Sequence, residues 1–286
     1  MAATPERLRR NWRRATLEPR LALASCLSRR PGIQTRADRQ PELIISLTTT
    51  RHRLPKVHLA VESLLRQQLK PHRVILWLAE DLRGEPLPSP LRRQQQRGLE
   101  VRFRRDVGPA TKLFHALREH PEAMIATADD DTLYFNSWLR QLTESSRKNP
   151  EYIHCYRAHW MLSAADGSLK PYRDWNHLAP GVTGPNHRLF PTGVGGVVYP
   201  PHSLAAEALN EQAMLELSPT NDDIWFKAMA LLNAVRAMKI HPVFDAFPTV
   251  RSAKHTGLTF VNTTGDVNDR QLDAVFRRYD LLGKLD

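Results

Sequence analysis

The sequence predicts an α/β fold: a doubly wound, mostly parallel central sheet flanked by helices, behind a basic N-terminal extension. Continuous apolar runs of strand length, Leu43 to Leu47 and Val74 to Leu78, suit strands buried on both faces. Amphipathic helical stretches alternate with such runs over residues 43 to 128. Three consecutive carboxylates, Asp129, Asp130 and Asp131, follow the apolar run Met124 to Ala128, at the carboxyl end of a strand, where open α/β sheets collect ligands.

The elements follow in order. Leu43 to Leu47 ends at Thr48, Thr49 and Thr50. Leu54, Val57, Val61, Leu64 and Leu65 recur at three- and four-residue spacing, a helix that tolerates Pro55 in its first turn and stops before Pro71. Residues 79 to 98, rich in Pro, Arg and Gln, read as a surface loop with a short helix, followed by a strand from Leu99 to Phe103. The Gly108-Pro109 turn starts a helix over Thr111 to Glu119, and Ala123 to Ala128 is a fourth strand. Trp138 to Lys148 reads as a helix and Tyr152 to Arg157 as a strand. Residues 158 to 200 are irregular, with Trp160, Tyr172, Trp175 and a turn from Thr192 to Gly196. Residues 203 to 215, 222 to 234 and Gln271 to Leu282 read as helices.

With 286 residues, 41% hydrophobic and 25% charged, the chain reads as one globular domain over 41–286 with a basic arm over 1–40, for which a helix is one option. The arm holds ten arginines against Glu6, Glu18 and Asp38, so it carries +7 of the net +11, and the body is nearly balanced. Such an arm, with its apolar stretch Leu21 to Leu27, suits a polyanion, either anionic lipid headgroups or nucleic-acid phosphates. Nucleic acid is not the expected partner. No run reaches the roughly 18 to 20 apolar residues of a spanning helix, and the Leu21 to Leu27 stretch lacks a small-residue cleavage site after a proper h-region, so no membrane span and no secretion are expected. Cys26 and Cys155 are too few and too distant for a disulfide framework or a zinc site. A cytoplasmic protein, with peripheral contact at the inner face of a membrane as an option, is expected.

Adjacent like charges at a strand end call for a neutralising cation, and Mg²⁺ or Mn²⁺ needs only one or two carboxylates beside waters or phosphates. Asp131 as a helix N-cap is the plain alternative. Asp222 and Asp223 open a helical run, where the macrodipole alone would favour them; a carboxylate beside the apolar Trp225 would also gain the proton affinity that a base needs, and Asp223 is the candidate. Lys112, just inside a helix start, is a candidate phosphate contact, and Asp106 either accepts from a ribose hydroxyl or holds its turn. His255, between Lys254 and Thr256, is a candidate to complete a metal shell through an imidazole nitrogen.

Five ordered segments carry a resemblance: Ile44 to Thr49, Asp106 to Leu113, Ala128 to Asp131, Pro191 to Pro201 and Asn221 to Trp225. Over roughly residues 42 to 240 the chain resembles bacterial glycosyltransferases of the family-2-like group, with the GT-A fold and a DXD-type acidic motif. The resemblance implies a donor-binding part over 41–135 and an acceptor-binding and catalytic part over 136–286. It implies a nucleotide-sugar donor along Thr48, Thr49, Arg51, Asp106, Lys112, Asp129 and Asp130, and an ion, Mn²⁺ or Mg²⁺, on Asp131 with Asp129 and His255. It implies catalysis by Asp223 with Asp222. By residue type alone, the turn Gly193 to Gly196, with Gly195 and Gly196, would let backbone approach the sugar closely, and Trp175 or Trp225 would stack on a sugar face. The expected reaction moves a sugar, with inversion, to a hydroxyl of a glycan or glycolipid acceptor in cell-surface polysaccharide synthesis. A polyanion-binding protein with a structural acidic cluster and a metal-dependent sugar-nucleotide hydrolase are the alternatives.

Overall fold

The computed structural model describes residues 5–34, 41–250 and 266–285. A seven-stranded sheet forms the centre. Its strands are β1 (Leu43–Thr48), β2 (Arg73–Ala79), β3 (Leu99–Arg104), β4 (Met124–Thr127), β5 (Ile153–Cys155), β8 (Val197–Tyr199) and β9 (Ala237–Lys239), in spatial order β3-β2-β1-β4-β8-β5-β9. Strands β6 (Ala158–Trp160) and β7 (Leu189–Pro191) pair apart as a small antiparallel ribbon. The helices are α1 (Pro5–Leu27), α2 (His58–Leu65), α3 (Ser89–Gln95), α4 (Thr111–Glu119), α5 (Trp138–Lys148), α6 (Glu211–Leu217), α7 (Asp222–Leu232) and α8 (Val267–Arg278).

Successive residues of the buried strands point to opposite faces, and each face has its own core. Ile44, Ile75, Trp77 and Ile125 pack with α4, α7 and α8, whereas Ile45, Leu47, Leu76 and Ala126 pack with α2, α3 and α5. This double covering explains why β1 and β2 read as unbroken apolar runs. The predicted mostly parallel α/β sheet with helices on both faces is the architecture observed.

Several elements differ from the sequence reading: residues 203–215, read as one helix, hold a 3₁₀ turn over Ala206–Leu209 before α6 starts at Glu211, and β6, β7 and β9 fall where no strand was expected. Residues 51–57 form turns, and α2 starts only at His58. Within the stretch read as irregular, β8 enters the main sheet antiparallel to both β4 and β5. Its three residues are too few for a periodic signal.

That reversal positions the site. Thr127 pairs with Val197, so the turn that leads into β8 arrives at the carboxyl edge of β4, beside the aspartates. Thr48 and Thr49 leave β1 at the same edge, and Arg157 follows β5 there, since Cys155 also pairs with Val197.

Helix α1 docks on the body through Leu17, Leu21 and Ala22, which meet Leu59, Leu133 and Val250. Arg13 pairs with Asp245 at 2.7 Å and lies over the Phe135 ring. No helix among the described residues is long and apolar enough to cross a membrane.

Candidate active site

A cleft of about 670 Å³ opens along this carboxyl edge and is lined by both acidic groups, the Thr48–Thr50 turn and the Thr192–Val194 turn. Asp106, Lys112, Asp129, Asp130, Asp131, Asp222 and Asp223 all line it.

The charge of the acidic corner is partly met from within the chain. Arg53 donates to Asp130 Oδ1 at 2.7 Å and to Asp131 Oδ2 at 3.3 Å, and Thr49 donates its hydroxyl to the other oxygen of Asp130. Asp130 therefore turns inward and is only 8% exposed. Burial, which would weaken the Arg53 cation, is outweighed by Asp130 and Asp131, so its proton affinity rises. Asp131 keeps its side chain toward the cleft. Burial, reinforced by the charges of Asp129 and Asp130, lifts its pKa to about 6 despite Arg53 and Thr132.

Lys112 links the two acidic groups. Its Nζ lies 3.2 Å from Asp129 Oδ1 and 3.2 Å from Asp222 Oδ2. Burial opposes its charge, but Asp222 and Asp129 outweigh that and raise its pKa well above the ordinary value. The helix start is fixed to the sheet, because the Ser46 hydroxyl donates to the Lys112 carbonyl and receives the Trp77 indole N–H at 2.7 Å. Asp106 is largely spent on its own turn, accepting from the Gly108 amide at 2.9 Å and the Thr111 hydroxyl at 3.2 Å.

Asp223 sits in the first turn of α7, whose N-cap Asn221 accepts from the Ile224 amide. Its Oδ1 accepts from the Gly193 amide at 2.9 Å. Burial and the neighbouring Asp222 charge lift its pKa to about 7, against the pull of Lys112 and the Gly193 amide.

Several expected contacts lie elsewhere. Trp225 is fully buried, its indole N–H donating to the Ala208 carbonyl at 3.1 Å, so it packs in the core and lies off the cleft. Trp175 is likewise buried, with its N–H on the Lys170 carbonyl at 2.8 Å. Arg51 is exposed and pairs with Glu85 and Asp81; Arg53, two residues on, is the arginine that reaches the acids. Gly195 and Gly196 face inward: both have positive φ, and a Cβ on Gly196 would fall 2.5 Å from the Trp138 ring. Thr192, Gly193 and Val194 are the residues of this turn that line the cleft. His255 lies outside the described residues. The sequence reading also missed Arg157, His159 and His177 on the cleft wall, since single Arg and His residues carry no periodic signature.

The donor set suits a hard divalent ion held mainly by substrate. No group of three or more His, Cys, Asp or Glu among the described residues forms a cage, but such an ion needs only one or two carboxylates beside phosphates and waters. Asp131 and Asp129 qualify: both carboxylates are partly exposed in the cleft, and the elevated pKa of Asp131 marks a negative charge that Arg53 leaves undercompensated.

Among solved structures, a mannosyltransferase from Pyrobaculum calidifontis, in complex with GDP-Man and Mn²⁺, shares this fold, with a TM-score of 0.51 at 13% identity over 96% of this chain and 79% of that one. TarS of S. aureus, residues 1-349, aligns with a TM-score of 0.46 at 16% identity over 71% of this chain and 58% of that one. No protein-family model and no curated protein matches the chain.

Proposed function

We propose that this chain is a metal-dependent glycosyltransferase that moves a sugar from a nucleotide-sugar donor to a hydroxyl of a glycan or glycolipid acceptor, with inversion, in cell-surface polysaccharide synthesis. One observation carries the reading. A single cleft holds an undercompensated acidic corner and, across Lys112, a separate carboxylate whose pKa stands near 7. The shared fold of a mannosyltransferase described with GDP-Man and Mn²⁺ supports it.

In this mechanism Asp131 and Asp129 would hold Mg²⁺ or Mn²⁺, which supplies compensation for the charge that develops on a departing diphosphate. Thr48, Thr49 and Asp106 would border the nucleoside. Lys112 fixes the distance between the two acidic groups and adds a positive charge at the donor's phosphates. Asp223 takes the acceptor proton. The Gly193 amide occupies its Oδ1, which orients the carboxylate and leaves Oδ2 as the receiving atom. Asp222 raises the basicity of Asp223 through its like charge, and Lys112 Nζ lies 3.2 Å from Asp222 Oδ2.

The arm would bring this site to a lipid surface. Exposed positions of α1, among them Trp12, Ala15, Pro19, Leu23, Cys26 and Leu27, recur every three or four residues, and Arg10, Arg20, Arg29 and Arg30 are exposed beside them. An apolar stripe flanked by arginines suits anionic headgroups, where a glycolipid acceptor resides.

The direct test incubates the full chain with a panel of nucleotide sugars and Mn²⁺, with and without glycan and glycolipid acceptors. Acceptor-dependent release of nucleoside diphosphate is expected. Release at equal rates with and without acceptor would instead favour the hydrolase.

A further inference from the structure

The wall of the cleft beyond Asp223 contains two hydrogen-bond donors aimed at one another. His159 is 1% exposed, and its Nδ1 accepts the Leu178 amide at 2.9 Å. A neutral imidazole with Nδ1 as acceptor carries its proton on Nε2. Burial, with the Arg157 charge next, drives the His159 pKa down to about 3, so the ring stays neutral. The Arg157 guanidinium, which can only donate, lies 3.4 Å from that same Nε2. The contact is therefore donor against donor and makes no hydrogen bond. Among the described residues, no Asp or Glu carboxylate lies within 4 Å of the Arg157 nitrogens, and both side chains border the cleft.

The tautomer is held by costly local structure. Leu178 and Ala179 both adopt positive φ, 65° and 38°, a conformation that non-glycine residues avoid. The fully buried Lys239 ammonium secures them by donating to the Leu178 and Ala179 carbonyls at 2.7 and 2.5 Å. The strained turn presents the Leu178 amide to His159 and fixes its free N–H toward Arg157. Tyr172 packs edge-on against both His159 and His177, and the backbone of Arg157 receives the Thr192 amide, one residue before the Gly193 amide that orients Asp223.

We propose that Arg157 and the His159 Nε2–H form an oxyanion subsite that takes a phosphate or carboxylate group of a substrate. One acceptor oxygen between the two donors satisfies both, and the guanidinium supplies the charge. The assignment to a substrate rests on the transfer reading; anion binding does not. The anion has two sources, the donor's own phosphate or acid group, or an anionic group on the acceptor such as a lipid phosphate.

The test titrates inorganic phosphate into the full chain with isotope-labelled histidine, reading the His159 side-chain resonances and the binding constant. The His159 Nε2–H signal is expected to shift on saturation. Arg157→Ala should weaken phosphate binding about tenfold or more, and Arg157→Lys, which keeps the charge without the fork, should fall between. Unmoved His159 signals, or unchanged affinity in a folded Arg157→Ala protein, would overturn the subsite. Repeating the titration with Mg²⁺ and saturating GDP or UDP separates the sources: displacement of phosphate assigns the subsite to the donor, and simultaneous binding assigns it to the acceptor. Because no transfer is measured, an inactive chain that still binds phosphate here would refute the transferase and leave the subsite standing.

Discussion

The Gly193 amide donates to Asp223 Oδ1 at 2.9 Å, which ties the turn entering the antiparallel strand β8 to the first turn of α7. This bond aims a carboxylate that burial has made basic, and the proposed proton transfer depends on it. Asp223→Asn keeps the oxygen that accepts this bond and loses the base. Turnover should fall by roughly 10²–10⁴-fold with donor affinity unchanged. Parallel loss of both would point to a structural role.

The same variant should be more heat-stable at alkaline pH. Burial raises the proton affinity of Asp223 in the folded chain, so the folded state binds more protons than the unfolded state between the ordinary carboxylate range and about pH 7. No cost exists below that window; the cost grows through it and is complete above. Tm of Asp223→Asn should exceed that of the parent at pH 8 and match it near pH 4, as measured by calorimetry.

A pH profile follows from the same group. kcat/KM should rise as pH climbs through about 7 and level off above, because only the ionised base accepts a proton. Asp222→Asn removes the like charge that adds to burial, so the midpoint should move to lower pH. A midpoint that stays fixed in this variant would separate the pH dependence from Asp223.

Asp130 and Asp131 are adjacent but should behave differently. Asp130 is buried and bonded by Arg53 and Thr49, so Asp130→Asn should cost about 1–3 kcal/mol of stability in denaturant titration. Asp131→Asn should leave stability intact or raise it above pH 6, since it removes a strained charge.

The membrane reading makes α1 separable from the site. Leu23→Glu places a charge on the exposed stripe and should abolish co-sedimentation with vesicles containing phosphatidylglycerol while soluble acceptors remain substrates. Equal binding to neutral vesicles would remove the arginines from the account.

Much of this architecture was legible because it follows from burial. Strands β1 and β2 are covered on both faces and read as apolar runs, and the amphipathic spacing of α4 and α5 gave both helices their observed bounds. Strands β8 and β9, three residues each, are set by their neighbours rather than by their own pattern. At the site, the acids were visible as charges at a strand end and a helix start. Their compensation was not: Arg53 and Lys112 reach them only through tertiary folding, and the adjacent Arg51 turns to surface acids instead. Trp225 was misread because position 225 of α7 faces the core, where Ala208 receives its indole.

The central claim is that the acidic corner holds a donor diphosphate through a divalent ion. Isothermal titration of GDP and UDP into the parent and Asp131→Ala, each with Mn²⁺ or with a chelator, tests it most directly. The account expects one nucleotide to bind the parent only with the ion, and this binding to vanish in Asp131→Ala while the protein stays folded. Binding that persists with chelator and in the variant, or that never occurs, would contradict it.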